Sequence, residues 1–108
     1  MTDLSLARTR ARERARTVGI VAEAADEQTT LAAIGRALRF PDYHATSIDA
    51  LAESVRDLSW LPVGPVELIW ADGPLRDADP RTHRLIQEIL HGASGTEGER
   101  PFRVTRVS

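Results

Sequence analysis

Three short apolar segments are spaced along the chain, with helical patterns between them. Residues 17–23 form a nearly continuous apolar run, which is typical of a strand buried on both faces of a sheet. Residues 66–70 have the same character, and residues 102–107 place Phe102 and Val104 on one face with polar side chains on the other. The pattern therefore predicts three strands.

Helical periodicity fills the intervals between these strands. After Asp26, apolar side chains recur at three- and four-residue spacing until Pro41, which ends the helix because the residue before a proline is pushed out of the α conformation. A second helix is predicted from residue 46 or 47 to residue 57, and a third from the N-cap Asp79 to Gly92. The segment after the second strand, Trp-Ala-Asp-Gly-Pro, has the composition of a turn.

Strands that alternate with helices predict the α/β class. The order strand, helix, helix, strand, helix, strand fits a small three-stranded parallel sheet with helices packed over it and right-handed connections. We expect residues 17–108 to form a single domain of this kind. Residues 1–16 are expected to be a short N-terminal extension, either an arginine-rich arm or a helix.

The bulk composition narrows the functional classes. A length of 108 residues suits one compact domain, and an apolar fraction of 42% is enough for a modest core. The chain has no cysteine, which excludes a disulfide framework, thiolate zinc sites and thiol nucleophiles. No apolar run approaches the roughly 20 residues of a membrane span, and no apolar leader follows the first residue. We therefore expect a cytoplasmic protein that does not enter a membrane.

Charge is distributed unevenly along the chain. Residues 1–16 carry five arginines against two acids, whereas the rest of the chain carries nine arginines against fourteen acids. An acidic domain suits a basic protein partner better than it suits nucleic acid. The arginines of residues 1–16 alternate with a period of two, which scatters them around a helix. A solvated leader is therefore expected there, not a nucleic-acid-binding arm.

The segment 41–57 carries four acids against one arginine. Asp49, Glu53 and Asp57 fall on one stripe of the second predicted helix, beside its apolar face. Like charges at this spacing destabilise a helix by roughly a few tenths of a kcal/mol each. One interpretation is a solvated face, in which Asp49 completes a capping box with Thr46. The other is a surface that binds a basic partner.

The same segment carries a family resemblance. The motif Pro41-Asp42-Tyr43, followed by Ile48-Asp49-Ala50-Leu51, closely resembles a segment of the barstar family, whose members inhibit barnase-type ribonucleases. Trp60 after the second helix and the strand at residues 66–70 extend the resemblance, which covers residues 17–108. The resemblance implies that the chain has a barstar-like fold and that it acts as an inhibitor and not as an enzyme.

In that family, the second helix and the loop before it enter the active site of the ribonuclease, where an acidic side chain takes the place of an RNA phosphate. Carboxylates suit this role because they accept charge-assisted hydrogen bonds from the basic side chains that bind RNA. The resemblance places Glu53 at the phosphate-mimicking position. It implies a partner-binding surface made of six residues: Tyr43, His44, Ser47, Asp49, Ala52 and Glu53.

Some of these positions differ from the family pattern. Ala52 replaces an interface tryptophan, His44 replaces a second aromatic residue, and Ser47 replaces an asparagine. The implied target is therefore a basic, barnase-like toxin and not barnase itself, and the implied role is that of an immunity protein or antitoxin. Such an inhibitor would act as a monomer in a 1:1 complex, without a cofactor, a metal or direct contact with nucleic acid. Glu88 and His91 on the last helix are left unassigned, because the resemblance does not fix which residues here correspond to the acids that the family uses on that helix.

Two other functions are compatible with the sequence. A small metal-dependent hydrolase could use Asp72, Asp77 and Asp79 after the second strand, although Asp79 is more simply explained as an N-cap. A barstar-like interaction module could bind a partner other than a nuclease through residues 1–16.

Overall fold

The computed structural model describes residues 4–41 and 47–107, which form a three-stranded parallel sheet with five helices packed around it. None of these helices is long and apolar enough to cross a membrane. The predicted α/β class and the small parallel sheet are confirmed. In chain order, the elements are α1 (Leu4–Arg14), β1 (Thr17–Val21), α2 (Glu27–Ala37), α3 (Ile48–Asp57), β2 (Val66–Ala71), α4 (Gly73–Ala78), α5 (Pro80–Ala93) and β3 (Phe102–Val107).

β2 is the central strand, because the strands lie in the order β1-β2-β3. Thr17 of β1 lies opposite Val66, which in turn lies opposite Phe102 of β3. The first five residues of β2 are buried, since both faces of the strand are covered. This double burial explains why residues 66–70 are apolar with a single exception, Glu67.

The main core lies on one face of the sheet, under α2, α3, α4 and α5. Leu68 and Trp70 of β2 meet Ile34 of α2, Leu51 of α3 and Ile86 of α5 there, and none of these five residues is more than 1% exposed. Burying one such side chain stabilises the fold by roughly 1.5–3 kcal/mol. This core therefore fixes α3 and α5 against the sheet.

α2 approaches β1 closely at Gly19. A Cβ atom at this position would lie 2.6 Å from the carbonyl oxygen of Ala37, which is too short for any side chain. The glycine therefore lets the end of α2 rest directly on the strand. That contact sets where the chain leaves α2 on its way to α3.

α1 covers the opposite face of the sheet. Its Ala7 and Ala11 are buried against Ile69 of β2 and Val107 of β3, and the small alanine side chains let the helix approach the strands. The prediction that residues 1–16 form a solvated leader is therefore wrong in one respect. The extension is a helix, but one of its faces is packed.

Glu67 is a buried charged residue on the α1 face of β2, and it is 1% exposed. The Arg14 guanidinium donates to both of its carboxylate oxygens, at 2.8 and 2.7 Å, and the Thr105 hydroxyl donates at 2.8 Å. Burial by itself raises the pKa of Glu67. The hydrogen bonds from Arg14 and Thr105, with the charges of Arg14 and Arg103, outweigh burial and hold the pKa below its ordinary value. The charged carboxylate therefore ties α1, β2 and β3 together.

The segment after β2 is a helix, not the predicted turn. α4 spans Gly73–Ala78, and Asp79 then caps α5 as predicted, its side chain accepting from the Thr82 backbone N–H. Pro74 lies in the first turn of α4, where the helix needs no backbone donor. The composition Asp-Gly-Pro suits a turn and the start of a short helix equally well, which explains the error.

We expect Arg14→Ala to lower the free energy of unfolding by about 1–3 kcal/mol, because it leaves the buried Glu67 carboxylate without its counterion. The loss is smaller than for a fully buried pair because the Arg14 side chain is 42% exposed, so water replaces part of the interaction. Urea denaturation followed by circular dichroism measures the change. The matched control is Arg12→Ala, an exposed position on the same helix, which should change stability by less than about 0.5 kcal/mol. Equal urea midpoints for the two variants would contradict the role given to this ion pair.

The lowered pKa of Glu67 predicts that stability depends on pH on the acid side. Such a carboxylate stabilises fully above its unfolded pKa, about 4.3 for glutamate, and this stabilisation is lost as the pH falls through the lower folded pKa. Asp26 and Asp79 act in the same direction, since hydrogen bonds from Thr29 and Thr82 lower their pKa values. Unfolding free energies should therefore fall below about pH 4.3, and less steeply in Glu67→Gln. An acid profile that Glu67→Gln leaves unchanged would count against the ion pair.

Candidate functional site

α3 buries one face and exposes the other. Leu51, Ser54 and Val55 are buried, whereas Asp49 and Glu53 are exposed. Helical periodicity accounts for this division, since residues four apart are displaced by only about 40° around the axis. The buried face fixes the rotation of α3, and the core therefore determines which side chains the helix presents to solvent.

Asp49, Glu53 and Asp57 form an acidic stripe along α3, each one turn, or about 6 Å, from the next. All three are exposed, and none takes part in an ion pair within the described residues. Asp49 lies in the first turn, where the partial positive charge of the helix N-terminus stabilises a carboxylate. The acidic stripe can therefore accept charge-assisted hydrogen bonds from the cations of a partner.

Ser47 is the N-cap of α3, and its hydroxyl accepts a hydrogen bond from the Ala50 backbone N–H at 3.0 Å. The capping box expected from the sequence is wrong in register. With Ser47 as the cap, Asp49 stands at the second helical position and not the third. Thr46, the expected cap, lies outside the described residues.

An aromatic pair connects the segment after α2 with the segment after α3. Phe40, just after α2, and Trp60, just after α3, contact edge to face with ring centroids 5.5 Å apart. The indole N–H of Trp60 also donates to the Leu38 carbonyl oxygen at 2.9 Å. These contacts join the end of α2 to the segment that leaves α3, and so they help to hold the C-terminal end of α3 in place.

The structure brings four of the six expected partner-binding residues together. Ser47, Asp49, Ala52 and Glu53 lie on the N-terminal half of α3, three of them exposed and Ala52 half-buried. Tyr43 and His44 lie outside the described residues, and their roles stay predictions. The surface can receive basic side chains, and the small side chain at Ala52 leaves room beside the carboxylates.

The three aspartates considered for a metal site have separate partners. Asp72 is buried and lies 2.7 Å from His83 Nε2, whereas Asp79 binds Thr82 as the α5 cap. Asp77 is exposed. Within residues 4–41 and 47–107, no three histidine, cysteine or acidic residues lie close enough together to hold a metal ion.

The sequence analysis did not reveal the buried pair of Asp72 and His83. The His83 ring also stacks on Trp70, with centroids 5.2 Å apart. The two partners stand eleven positions apart, on either side of the unpredicted α4, so no helical spacing could reveal them. They join α5 to the end of β2 and have a structural role.

Comparison with known proteins identifies one family. The model of the family described as Barstar (barnase inhibitor) matches residues 15–106, which include α3, β1, β2 and all of β3 except its last residue, but not α1. No curated protein and no solved structure matches the chain.

Ser47→Ala should lower the free energy of unfolding by about 0.5–2 kcal/mol, because it removes the side-chain acceptor for the Ala50 N–H. Ser47→Asp should restore the cap and keep stability within a few tenths of a kcal/mol, roughly. Thermal and urea unfolding measure both changes. Ser59→Ala, at an exposed serine just after α3, is the matched control. If Ser47→Ala and Ser59→Ala behave alike, Ser47 is not the cap.

Proposed function

The chain belongs to the barstar family, and from this premise we propose that it inhibits a barnase-like ribonuclease by covering the active site with the α3 surface. The observation that carries the proposal is the acidic stripe, exposed on the side of α3 that faces away from the core. It lies inside the part of the chain that the family model matches.

The physical basis is competition for the groups that bind RNA. A ribonuclease holds its polyanionic substrate with arginine, lysine and histidine, and carboxylates can bond to the same groups. Asp49 and Glu53 are exposed and carry no ion pair within the described residues, so no internal contact has to break when a partner binds. Glu53, one turn into the helix, takes the phosphate-mimicking position and Asp49 supports it.

Ala52 determines what kind of ribonuclease fits. It stands beside Glu53 with a half-buried methyl group, at a position where the family has a tryptophan. A partner that protrudes at this point fills the space and buries the alanine. The proposed target is therefore a divergent barnase-like toxin, with Tyr43, His44 and Ser47 completing the contact.

The proposal includes the biological setting. The protein acts as an immunity protein or antitoxin in the cytoplasm, where it meets the toxin before the toxin reaches RNA. It binds as a monomer in a 1:1 complex, and it has no catalytic activity and no cofactor. Occlusion alone accounts for inhibition, since a carboxylate in the phosphate site excludes the substrate.

We expect tight inhibition of at least one member of a panel of small barnase-type ribonucleases, with Glu53→Ala weakening it by about tenfold to a hundredfold. The reason is the loss of a charge-assisted hydrogen bond to a desolvated cation. RNA cleavage in the presence of increasing inhibitor measures the effect. Inhibition should also weaken between low and moderate salt, because opposite charges attract less strongly when screened.

Two controls make this test specific. Glu13→Ala removes an exposed glutamate from α1 and should leave inhibition unchanged. Replacing Arg8 and Arg12 of α1 by alanine should also leave it unchanged, which separates this proposal from binding through residues 1–16. Equal inhibition by wild type and Glu53→Ala would refute the proposed surface, and no inhibition of any ribonuclease would refute the proposed target class.

A further inference from the structure

β3 lies at an edge of the sheet, and most of its outer side is uncovered within the described residues. Its first residue, Phe102, exchanges two backbone hydrogen bonds with Gly95. Beyond that bridge, the chain between α5 and β3 leaves the edge. Backbone groups alternate along a strand, so the N–H and C=O groups of Val104 and Arg106 point to the same open side as those of Phe102.

A groove runs beside this open edge because α5 packs mainly against α3 and α4 and leaves a gap next to β3. A cavity of about 210 Å³ lies in the gap, and a second cavity of about 550 Å³ follows it toward the start of the strand. The two cavities share His91, Ser94 and Val104, so they adjoin one another beside β3, and together we call them the edge groove. Its position beside unpaired backbone groups suits an extended chain.

Trp70 forms part of the wall of the smaller cavity. Its side chain is fully buried, and its indole N–H has no acceptor within the described residues. An unsatisfied buried donor costs about 1–3 kcal/mol, so a buried tryptophan usually has a partner. Trp70 therefore brings an unpaired buried donor to the part of the sheet that borders the smaller cavity.

The charge around the groove is positive. Arg103 and Arg106 are exposed on β3, and these two guanidinium groups carry the positive charge. The one carboxylate that lines either cavity, Glu67, is already bound by Arg14 and Thr105. The groove therefore favours a negatively charged occupant, whereas the acidic stripe on α3 favours a positively charged one.

We propose that this edge groove binds an extended acidic segment of a second partner protein, which adds a strand to the sheet beside β3. The backbone groups of Val104 and Arg106 bind its main chain, as in other cases of strand addition. The Arg106 guanidinium lies 3.6 Å from the Asp72 carboxylate, which is longer than a hydrogen bond. Arg106 can therefore leave this contact and turn toward an acidic side chain of the partner. This site is separate from the α3 surface and does not depend on ribonuclease inhibition.

The test is a nuclear magnetic resonance titration of the full chain with a peptide of about eight residues that alternates glutamate and valine. We expect saturable shifts of the Val104 and Arg106 amide protons and of the Trp70 indole proton. The same peptide methylated on alternate backbone nitrogens should not shift them, because it cannot complete the ladder. A peptide with lysine in place of glutamate should bind at least about fivefold more weakly.

Variants of the chain sharpen the result. Val104→Pro removes an outward-facing N–H at a sheet edge, where proline is tolerated, and should abolish binding while the thermal unfolding temperature shows that the fold persists. Arg106→Gln should weaken binding about threefold to fivefold, and Arg84→Gln, an exposed arginine on α5 outside the groove, should not. None of these variants should change ribonuclease inhibition.

Three outcomes of the peptide titration would overturn the proposal. These are the absence of any shift of the three protons at about 1 mM peptide, shifts confined to α3, and binding that survives both Val104→Pro and backbone methylation. Shifts of the same amide protons with protein concentration alone would identify a second copy of the chain as the occupant, which would also overturn it.

Discussion

The charge of Glu67 lies buried at the centre of the sheet, and the arrangement of the fold depends on how that charge is compensated. The central strand is covered on both faces, so water cannot compensate the charge of the Glu67 carboxylate. Arg14 arrives from α1 on one side and Thr105 from β3 on the other. The Arg14 contact forms only when α1 lies across the sheet, and the Thr105 contact forms only when β3 pairs with β2 in the correct register. The interaction therefore fixes the positions of both elements. The second face of the sheet is then closed, and the four remaining helices can pack on the first.

The two candidate binding surfaces follow from the placement of α1 on one face of the sheet and of the other four helices on the opposite face. The core on the first face determines the rotation of α3, and the acidic stripe is what the helix presents once Leu51 and Val55 are buried. α5 is held by α3, by α4 and by the pair of Asp72 and His83, so it stands slightly away from β3 and leaves the edge groove. The molecule therefore carries an acidic surface on a helix and a basic groove on a strand, each with its own electrostatic preference.

The sequence predicted most of the fold but few of its tertiary contacts. Continuous apolar runs revealed the strands, and the helical pattern after Asp26 and the cap at Asp79 revealed two helices, because these features are local. The packing of α1 was not predicted, because its buried face consists of small alanines among arginines. The partners Arg14 and Glu67 are 53 positions apart, and only the fold brings them together. Of the expected site, Ser47, Asp49, Ala52 and Glu53 lie close together because of helical periodicity, and their part in binding stays a prediction; Tyr43 and His44 lie outside the described residues.

The position of Arg14 makes the matched domain depend on a helix that lies outside it. The family match begins at residue 15, so the arginine that neutralises Glu67 comes from just outside the matched segment. Truncation at residue 15 would remove this counterion and, with Ala7 and Ala11, the helix that covers the second face of the sheet. α1 is therefore an integral part of the folded unit, and the smallest stable form of this domain must begin before residue 15.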